Sequence, residues 1–305
     1  MPVFKYLAPE RIDVLENLKI RFTQASALND PFESLPMIEK LIDPNIFFDM
    51  FEEHVPKEDF RETIEKTLAE ELAPYKSLIN VETFQNSQFV EHILKNFRDI
   101  TEPFLNILND PKNSSENFST IIKKSFDNKF GVLSLTQKPD NLLMWSHYSN
   151  SHTGFVIEFD QNSSFFNQCI NENDTIRKLK FVEYVSERPN ITVLDNKAQD
   201  EEKYLYTLAN LFFLVKSSHW VYEEELRMVM PLETANKVLT SEYGEEIYLF
   251  KFPPQMIKSI IFGSQAKKST VNKINNLLEL EYFSHVLKYQ AELDLKKYKI
   301  NLIKL

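Results

Sequence analysis

The chain has 305 residues, with 35 Lys or Arg against 45 Asp or Glu, for a formal net charge of −10 and a hydrophobic content of 43%. That acidic balance argues against nonspecific duplex binding, which rests on phosphate neutralisation by basic side chains. Its four glycines, Gly131, Gly154, Gly244 and Gly263, never cluster, which excludes a dinucleotide fingerprint and a Walker loop. A single cysteine, Cys169, excludes an internal disulfide and a zinc site built from Cys.

Met1 to Glu10 lacks a charged start followed by an apolar block, so no secretory signal is read and a cytoplasmic location is the default. The densest apolar stretch, Leu208 to Val215, is too short to cross a bilayer, and no membrane association is expected. Phe4 to Leu28 reads as a short helix leading into a strand: Pro9 sits near the helix start, Ile12, Leu15 and Leu18 give apolar spacing, and Lys19 to Thr23 alternates. The strand empties into a rigid turn, Asn29-Asp30-Pro31-Phe32-Glu33, whose side chains are expected to cap a following helix or meet a ligand.

From about Ile38 to Asn128 the pattern is helical and charge-rich, broken at Pro44, Pro56, Pro74, Pro103 and Pro111. After Gly131 it shifts to strands: Val132 to Thr136, Phe155 to Asp160, Lys178 to Val185, Leu226 to Met230, Ile247 to Phe252 and Lys258 to Phe262. Helices are expected from about Ala198 to Ser218 and Ser269 to Leu280, and Val286 to Glu292 and Tyr298 to Lys304 close the chain as strands. Strands mixed with segregated helices define an α+β fold with a mixed or antiparallel sheet core. The organisation read from this is 1–37 as the first part of the core, 38–128 as a helical insertion or subdomain, and 129–305 as the main α+β core.

Three segments bear chemistry. In Met144-Trp145-Ser146-His147-Tyr148 and onward, a helical turn puts Trp145, Tyr148 and His152 on one face and Met144, His147 and Ser151 on another. The two histidines diverge, and their five-residue separation differs from the spacing that lets a helix grip zinc, so no metal site is read there. In the strand that follows, alternation places Phe155, Ile157 and Phe159 on one face, read as core, and Val156, Glu158 and Asp160 on the other, with Glu158 and Asp160 pointing into solvent or a cleft.

Read as a strand, Trp220 to Met228 lays Glu223, Glu225 and Arg227 along one face and Tyr222, Leu226 and Met228 along the other. Two carboxylates two residues apart raise one another's pKa unless a cation intervenes, and Arg227 is placed to do so. Such a set suits ribose gripping or acid–base work; the plainer alternative is an exposed strand edge with a weak Glu225–Arg227 pair. Lys216 upstream offers a charge for a phosphate or for a helix C-terminus. The common hydrolase motifs Gly-x-Ser-x-Gly and His-Glu-x-x-His are absent.

Taken together, Phe4-Lys5-Tyr6, Asn29 to Glu33, Met144 to Tyr148, His152-Thr153-Gly154, the Trp220, Tyr222, Glu223, Glu225, Arg227 series and Ile260-Ile261-Phe262-Gly263 resemble a bacterial family catalogued as domain of unknown function 2971. The Glu223-x-Glu225 pair on a late strand is also similar to the Glu-x-Glu end of ADP-ribosyltransferases. Their split β-fold cradles NAD without a glycine fingerprint.

That second resemblance implies NAD as co-substrate, with Glu225 holding the nicotinamide ribose and Glu223 activating the acceptor. It also implies that Trp145 or Tyr148 stacks nicotinamide. His147, Arg227 and Lys216 complete the candidate set, and Tyr6 stands with Lys5 where an early basic or His residue is expected, with Arg21 as its substitute. The expected activity is ADP-ribosyl transfer to a protein or nucleic-acid target, in a toxin or phage-defence setting. Competing readings are a nucleic-acid hydrolase using His147, Glu158, Glu225 and Lys216, and a noncatalytic sensor that recognises a partner through residues 57–78.

Overall fold

In chain order the strands are β1 (Pro2–Leu7), β2 (Lys19–Phe22), β3 (Met37–Ile42), β4 (Phe130–Thr136), β5 (Phe155–Asp160), β6 (Lys180–Phe181), β7 (Glu183–Val185), β8 (Asn190–Leu194), β9 (Val215–Ser217), β10 (Glu225–Pro231), β11 (Lys237–Thr240), β12 (Glu246–Lys251), β13 (Ile257–Phe262), β14 (Leu287–Leu293) and β15 (Ile300–Lys304). The structure, a computed structural model, describes residues 2–34, 37–42, 45, 47–48, 57–72, 96–108, 123–124, 126–194 and 201–305.

The principal sheet has eight strands in the order β15-β14-β13-β5-β1-β4-β10-β6. Within it β13 and β14 run parallel, and the other neighbours are antiparallel. With its separate helices this is an α+β fold around a mixed, mostly antiparallel sheet. A smaller antiparallel sheet joins β11, β12 and β2.

The sheet is uneven along its width. β1 lies beside β5 over its whole length, from Pro2 opposite Asp160 to Leu7 opposite Phe155, and β10 does the same beside β4, from Glu225 opposite Thr136 to Pro231 opposite Phe130. β1 and β4, by contrast, meet only at Phe4 opposite Thr136. Two well-laddered halves are thus joined at one register position, and a cleft opens between β1 and β4.

Both faces near the centre are covered. Val3, Leu7, Leu133, Leu135, Ile157 and Leu226 belong to the larger apolar cluster. Phe4, Tyr6, Val156 and Ile261 belong to another with Met144 and Trp145. Val156, on the strand face opposite Phe155, Ile157 and Phe159, is therefore fully buried too. Its strand neighbours behave differently: Glu158 is half-buried and accepts a hydrogen bond from the Ser259 hydroxyl, and Asp160 pairs with Lys258 at 3.0 Å.

Two motif glycines serve packing. A Cβ on Gly154 would lie 2.0 Å from the Leu7 carbonyl oxygen, and one on Gly263 would lie 2.1 Å from that of His152. Only a hydrogen side chain lets these backbones approach so closely.

Some elements differ from expectation. Phe4 to Leu28 opens with β1 before its helical turns, because Val3, Lys5 and Leu7 alternate with Phe4 and Tyr6. The Asn29 to Glu33 turn precedes β3 rather than a helix, so the capping role falls; instead Asp30 Oδ1 accepts the Phe32 N–H at 2.9 Å. The expected strand Lys178 to Val185 is divided between β6 and β7. The helix expected from Ala198 to Ser218 runs Glu201–Phe213 and gives way to β9, which pairs in parallel with β7.

The chain divides into two compact units, one comprising Met1–Pro36, Ile121–Pro189 and Asp200–Leu305, the other Met37–Thr120 and Asn190–Gln199. The second contains helices Lys57–Leu72 and Phe97–Leu108, with Phe60 edge-on to Phe97 at 4.8 Å. It is not wholly helical: β3 pairs in parallel with β8. The six residues of β3 fit either period, and their partner lies far along the chain, so local spacing could not reveal the pairing.

Candidate functional site

The cleft between β1 and β4 deepens into a cavity of about 200 Å³. Phe4, Lys5 and Tyr6 line it from β1, Ser134, Leu135 and Thr136 from β4, and Glu225 and Arg227 from β10. Glu33, Lys216, Glu223 and Tyr148 complete the polar lining.

Glu223 reaches it by a route that alternation did not foresee. Residues Ser218–Glu223 form a 3-10 helix, Glu224 is left-handed at φ 42°, and only at Glu225 does the strand begin. A left-handed non-glycine residue costs roughly 1–2 kcal/mol, and here it reverses the chain so that both neighbouring carboxylates turn to one cation. Lys216 Nζ donates to Glu223 Oε2 at 2.7 Å and to Glu225 Oε2 at 3.0 Å, and stands 3.2 Å from Glu33 Oε1.

Arg227 forms the second bridge. Its Nε donates to Glu225 Oε1 at 2.7 Å and one terminal nitrogen to Glu225 Oε2 at 3.0 Å. That nitrogen also donates to Glu33, and the other reaches the Phe213 carbonyl at 2.8 Å. Arg227 is 1% exposed and Glu225 4%, so the reading of an exposed edge with a weak surface pair is overturned: β10 lies between β4 and β6. Arg227 was expected to separate Glu223 from Glu225, but Lys216 performs that task.

The charges hold one another ionised. Burial pushes the Glu225 carboxyl up, but Arg227 and Lys216 overcome it and hold the group down at about 2. Burial likewise works against the Lys216 ammonium and the Arg227 guanidinium, and the carboxylates raise both. On the β1 side, burial lowers Lys5 to about 8 against the attraction of Glu225. Its Nζ donates to the Ser134 carbonyl at 2.8 Å across the cleft.

The two acids differ in what they have left to offer. Glu225 takes three donor contacts from Arg227 and Lys216 and a fourth from the Ser134 side chain, which fills its roughly four acceptor positions. Glu223 accepts from Lys216 and, at 2.6 Å, from the Tyr148 hydroxyl, and retains acceptor capacity. Burial, then Glu223, keeps that hydroxyl protonated. Thr136 Oγ1 donates to the Glu223 carbonyl at 2.5 Å, Asn141 ties the Tyr222 carbonyl to the start of helix Leu142–Tyr148, and the Tyr184 hydroxyl accepts the Glu225 N–H at 2.9 Å.

Of the residues singled out in the sequence, Glu223, Glu225, Arg227, Lys216, Tyr148 and Tyr6 share this cavity. Trp145, His147 and Arg21 lie outside its lining. Trp145 is fully buried, with Nε1 donating to the Pro139 carbonyl at 2.8 Å and its ring edge-on to Tyr6 at 5.2 Å; its indole has no free face to offer nicotinamide. His147 is exposed on the helix, 6.4 Å from the Tyr148 ring. Arg21 sits on β2 in the smaller sheet.

Glu33, Ser134 and Thr136 were not recognised as partners of this cluster. Two hydroxyl residues at alternate positions of an otherwise apolar strand were a legible signal for the last two. Among the described residues no group of His, Cys, Asp and Glu is arranged to hold a metal, and no helix is long and apolar enough to cross a membrane.

Residues 144–228 match the model of a family described as a protein of unknown function, DUF2971. The resemblance read from the motifs holds over this stretch, which carries Tyr148, Lys216, Glu223, Glu225 and Arg227. No curated protein and no solved structure matches the chain, and the likeness to ADP-ribosyltransferases is not confirmed by these comparisons.

Proposed function

We propose that the chain is an ADP-ribosyl-transferring enzyme that takes NAD as co-substrate and seats the nicotinamide ribose in the cleft between β1 and β4. The observation that carries this reading is the position of Glu223, a carboxylate with acceptor capacity to spare, in a cavity where the sheet opens and where ionised Glu225 stands behind Lys216. At about 200 Å³ the cavity falls below the roughly 300–1,000 Å³ of sites for whole small molecules. One ring or sugar enters it and the rest of the dinucleotide lies outside.

The roles follow from the hydrogen-bond inventory. Glu223 accepts a ribose hydroxyl, whereas saturated Glu225 acts as fixed negative charge, favouring the cationic sugar that forms as the bond from C1 to nicotinamide breaks. Nicotinamide leaves with the bonding pair, and the acceptor nucleophile bonds C1 and releases its proton to solvent. Tyr148 and Tyr6 supply the aromatic wall, and Lys5 offers positive charge to a phosphate.

Incubating the pure protein with labelled NAD and varied macromolecular acceptors tests this. Transfer or hydrolysis is expected, falling about 10²–10³-fold in Glu223→Gln. Absence of transfer, hydrolysis and NAD binding would overturn it.

A further inference from the structure

β15 closes one end of the principal sheet and β11 one end of the smaller one, and among the described residues neither has a strand on its outer side. The Leu305 N–H donates to the Lys288 carbonyl at 2.9 Å and the Asp294 N–H to the Lys299 carbonyl at 3.0 Å. Hydrogen-bonded positions alternate along an antiparallel ladder, so Ile300, Leu302 and Lys304 turn their backbone N–H and carbonyl groups away from β14. On β11 the Ser241 N–H donates to the Glu245 carbonyl at 2.8 Å, and the same alternation turns Val238 and Thr240 away from β12. Rows of unpaired backbone groups of this kind are templates for a further strand.

The two edges end in hairpin tips of opposite charge. Glu242, Tyr243 and Glu245 lie between β11 and β12, and Glu246 opens β12; all four are exposed, Tyr243 to 91%. Leu295, Lys296, Lys297, Tyr298 and Lys299 lie between β14 and β15 and are also exposed, Leu295 to 99%. Asp294 Oδ1 accepts the Lys296 and Lys297 N–H groups at 2.9 Å each, so the turn that presents these side chains to water is itself ordered. Its carboxylate stands 3.7 Å from Lys299.

We infer that β11 of one copy of the chain pairs antiparallel with β15 of another. β11 runs towards its tip and β15 away from its own, so antiparallel alignment sets the two tips side by side. With Thr240 opposite Ile300 and Val238 opposite Leu302, the outward backbone groups meet, and the acidic tip comes beside Lys297 and Lys299. Other pairings match charge less well. Parallel alignment gives the acidic tip Lys304 alone, two β15 edges set lysine against lysine, and two β11 edges give each acidic tip at best Lys237. At the far end of the β11–β15 pair Lys237 approaches Lys304, and the strands are short, so the association is weak. The contact is heterologous, and copies joined by it close into a ring or extend as a chain. It involves no residue of the β1–β4 cleft and does not depend on the reading of that cleft.

Sedimentation velocity on the full chain, from about 1 to 300 μM, tests this. Mass is expected to rise with concentration, and raising the salt from about 0.05 to 0.5 M should weaken association about tenfold. The charge reversal Lys296→Glu with Lys297→Glu should leave a monomer, and so should Glu242→Lys with Glu245→Lys. An equimolar mixture of these two variants should associate again, because each then meets an edge of opposite charge. All four positions are exposed, so the folds should be unaffected. Val238→Pro removes an outward N–H on an edge strand, where proline is tolerated, and should abolish association of the otherwise wild-type chain. A chain that stays monomeric throughout, association that survives the lysine reversal or Val238→Pro, or a variant mixture that stays monomeric would overturn the pairing. The charge-reversal mixture decides even if Val238→Pro does not fold.

Discussion

Two strand pairs of the principal sheet solve burial in opposite ways. Between β5 and β13, Val156 stands opposite Ile261, both essentially inaccessible to solvent. Between β4 and β10, Thr136 and Ser134 stand opposite Glu225 and Arg227, which are buried just as well. The first pair stabilises the fold simply by leaving water, at about 1.5–3 kcal/mol per large apolar side chain. In the second, each charge loses several kcal/mol of hydration and recovers it only from partners with good geometry. Those partners come from elsewhere in the chain: Glu33 from a turn, Lys216 from β9, Tyr148 from a helix. Such a cluster is weak evidence for stability and better evidence that the ionised groups have work to do.

The sharpest way to break the contrast is Arg227→Met. It leaves Glu225 and Glu33 without their guanidinium, and stability should fall by about 3–5 kcal/mol. Ile261→Val in the apolar pair should cost only about 0.5–1.5 kcal/mol. Denaturant titration of both variants measures this, and equal losses would show that the cluster is not an interdependent charge network.

Acid should distinguish the halves next. Glu225 is held at about 2, below the ordinary glutamate value of 4.5, so the unfolded chain binds the proton more readily. Its contribution is complete above about pH 4.5 and is lost as pH falls towards 2, some 3 kcal/mol in all. Glu225→Gln should be less stable at neutral pH and should flatten the acid limb of a stability-against-pH curve. An unchanged acid limb would assign that slope to other carboxylates.

Such behaviour was only partly readable in the sequence. The apolar half follows local rules: Phe155 to Asp160 alternates, and its strand forms where expected. The charged half obeys rules that spacing does not contain. Glu223 and Glu225 come together because Glu224 turns left-handed, not because they share a strand face. Lys216 was suspected for its charge, yet its bonds to both acids and to Glu33 depend on β9 docking beside β7. Trp145 illustrates the converse: its residue type invites a stacking role, but helix Leu142–Tyr148 packs it against Tyr6 in the core.

The smallest effect separates the cleft from the rest of the charged half. Burial lowers Lys5 to about 8 from 10.5, so between those values the unfolded chain binds more protons, and stability should rise with pH as the trapped ammonium is relieved of its charge. Affinity for a phosphate-bearing ligand should move the other way, weakening as pH passes through about 8. A lost charge-assisted hydrogen bond corresponds to about tenfold or somewhat more in dissociation constant. Lys5→Arg retains its charge across this range, so it should remove both trends at once. Calorimetric titration with ADP-ribose from pH 7 to 10, alongside thermal unfolding, follows the two. A binding decline that persists in Lys5→Arg would place the anion-holding charge on another residue, and two slopes of the same sign would mean that Lys5 does not face the ligand.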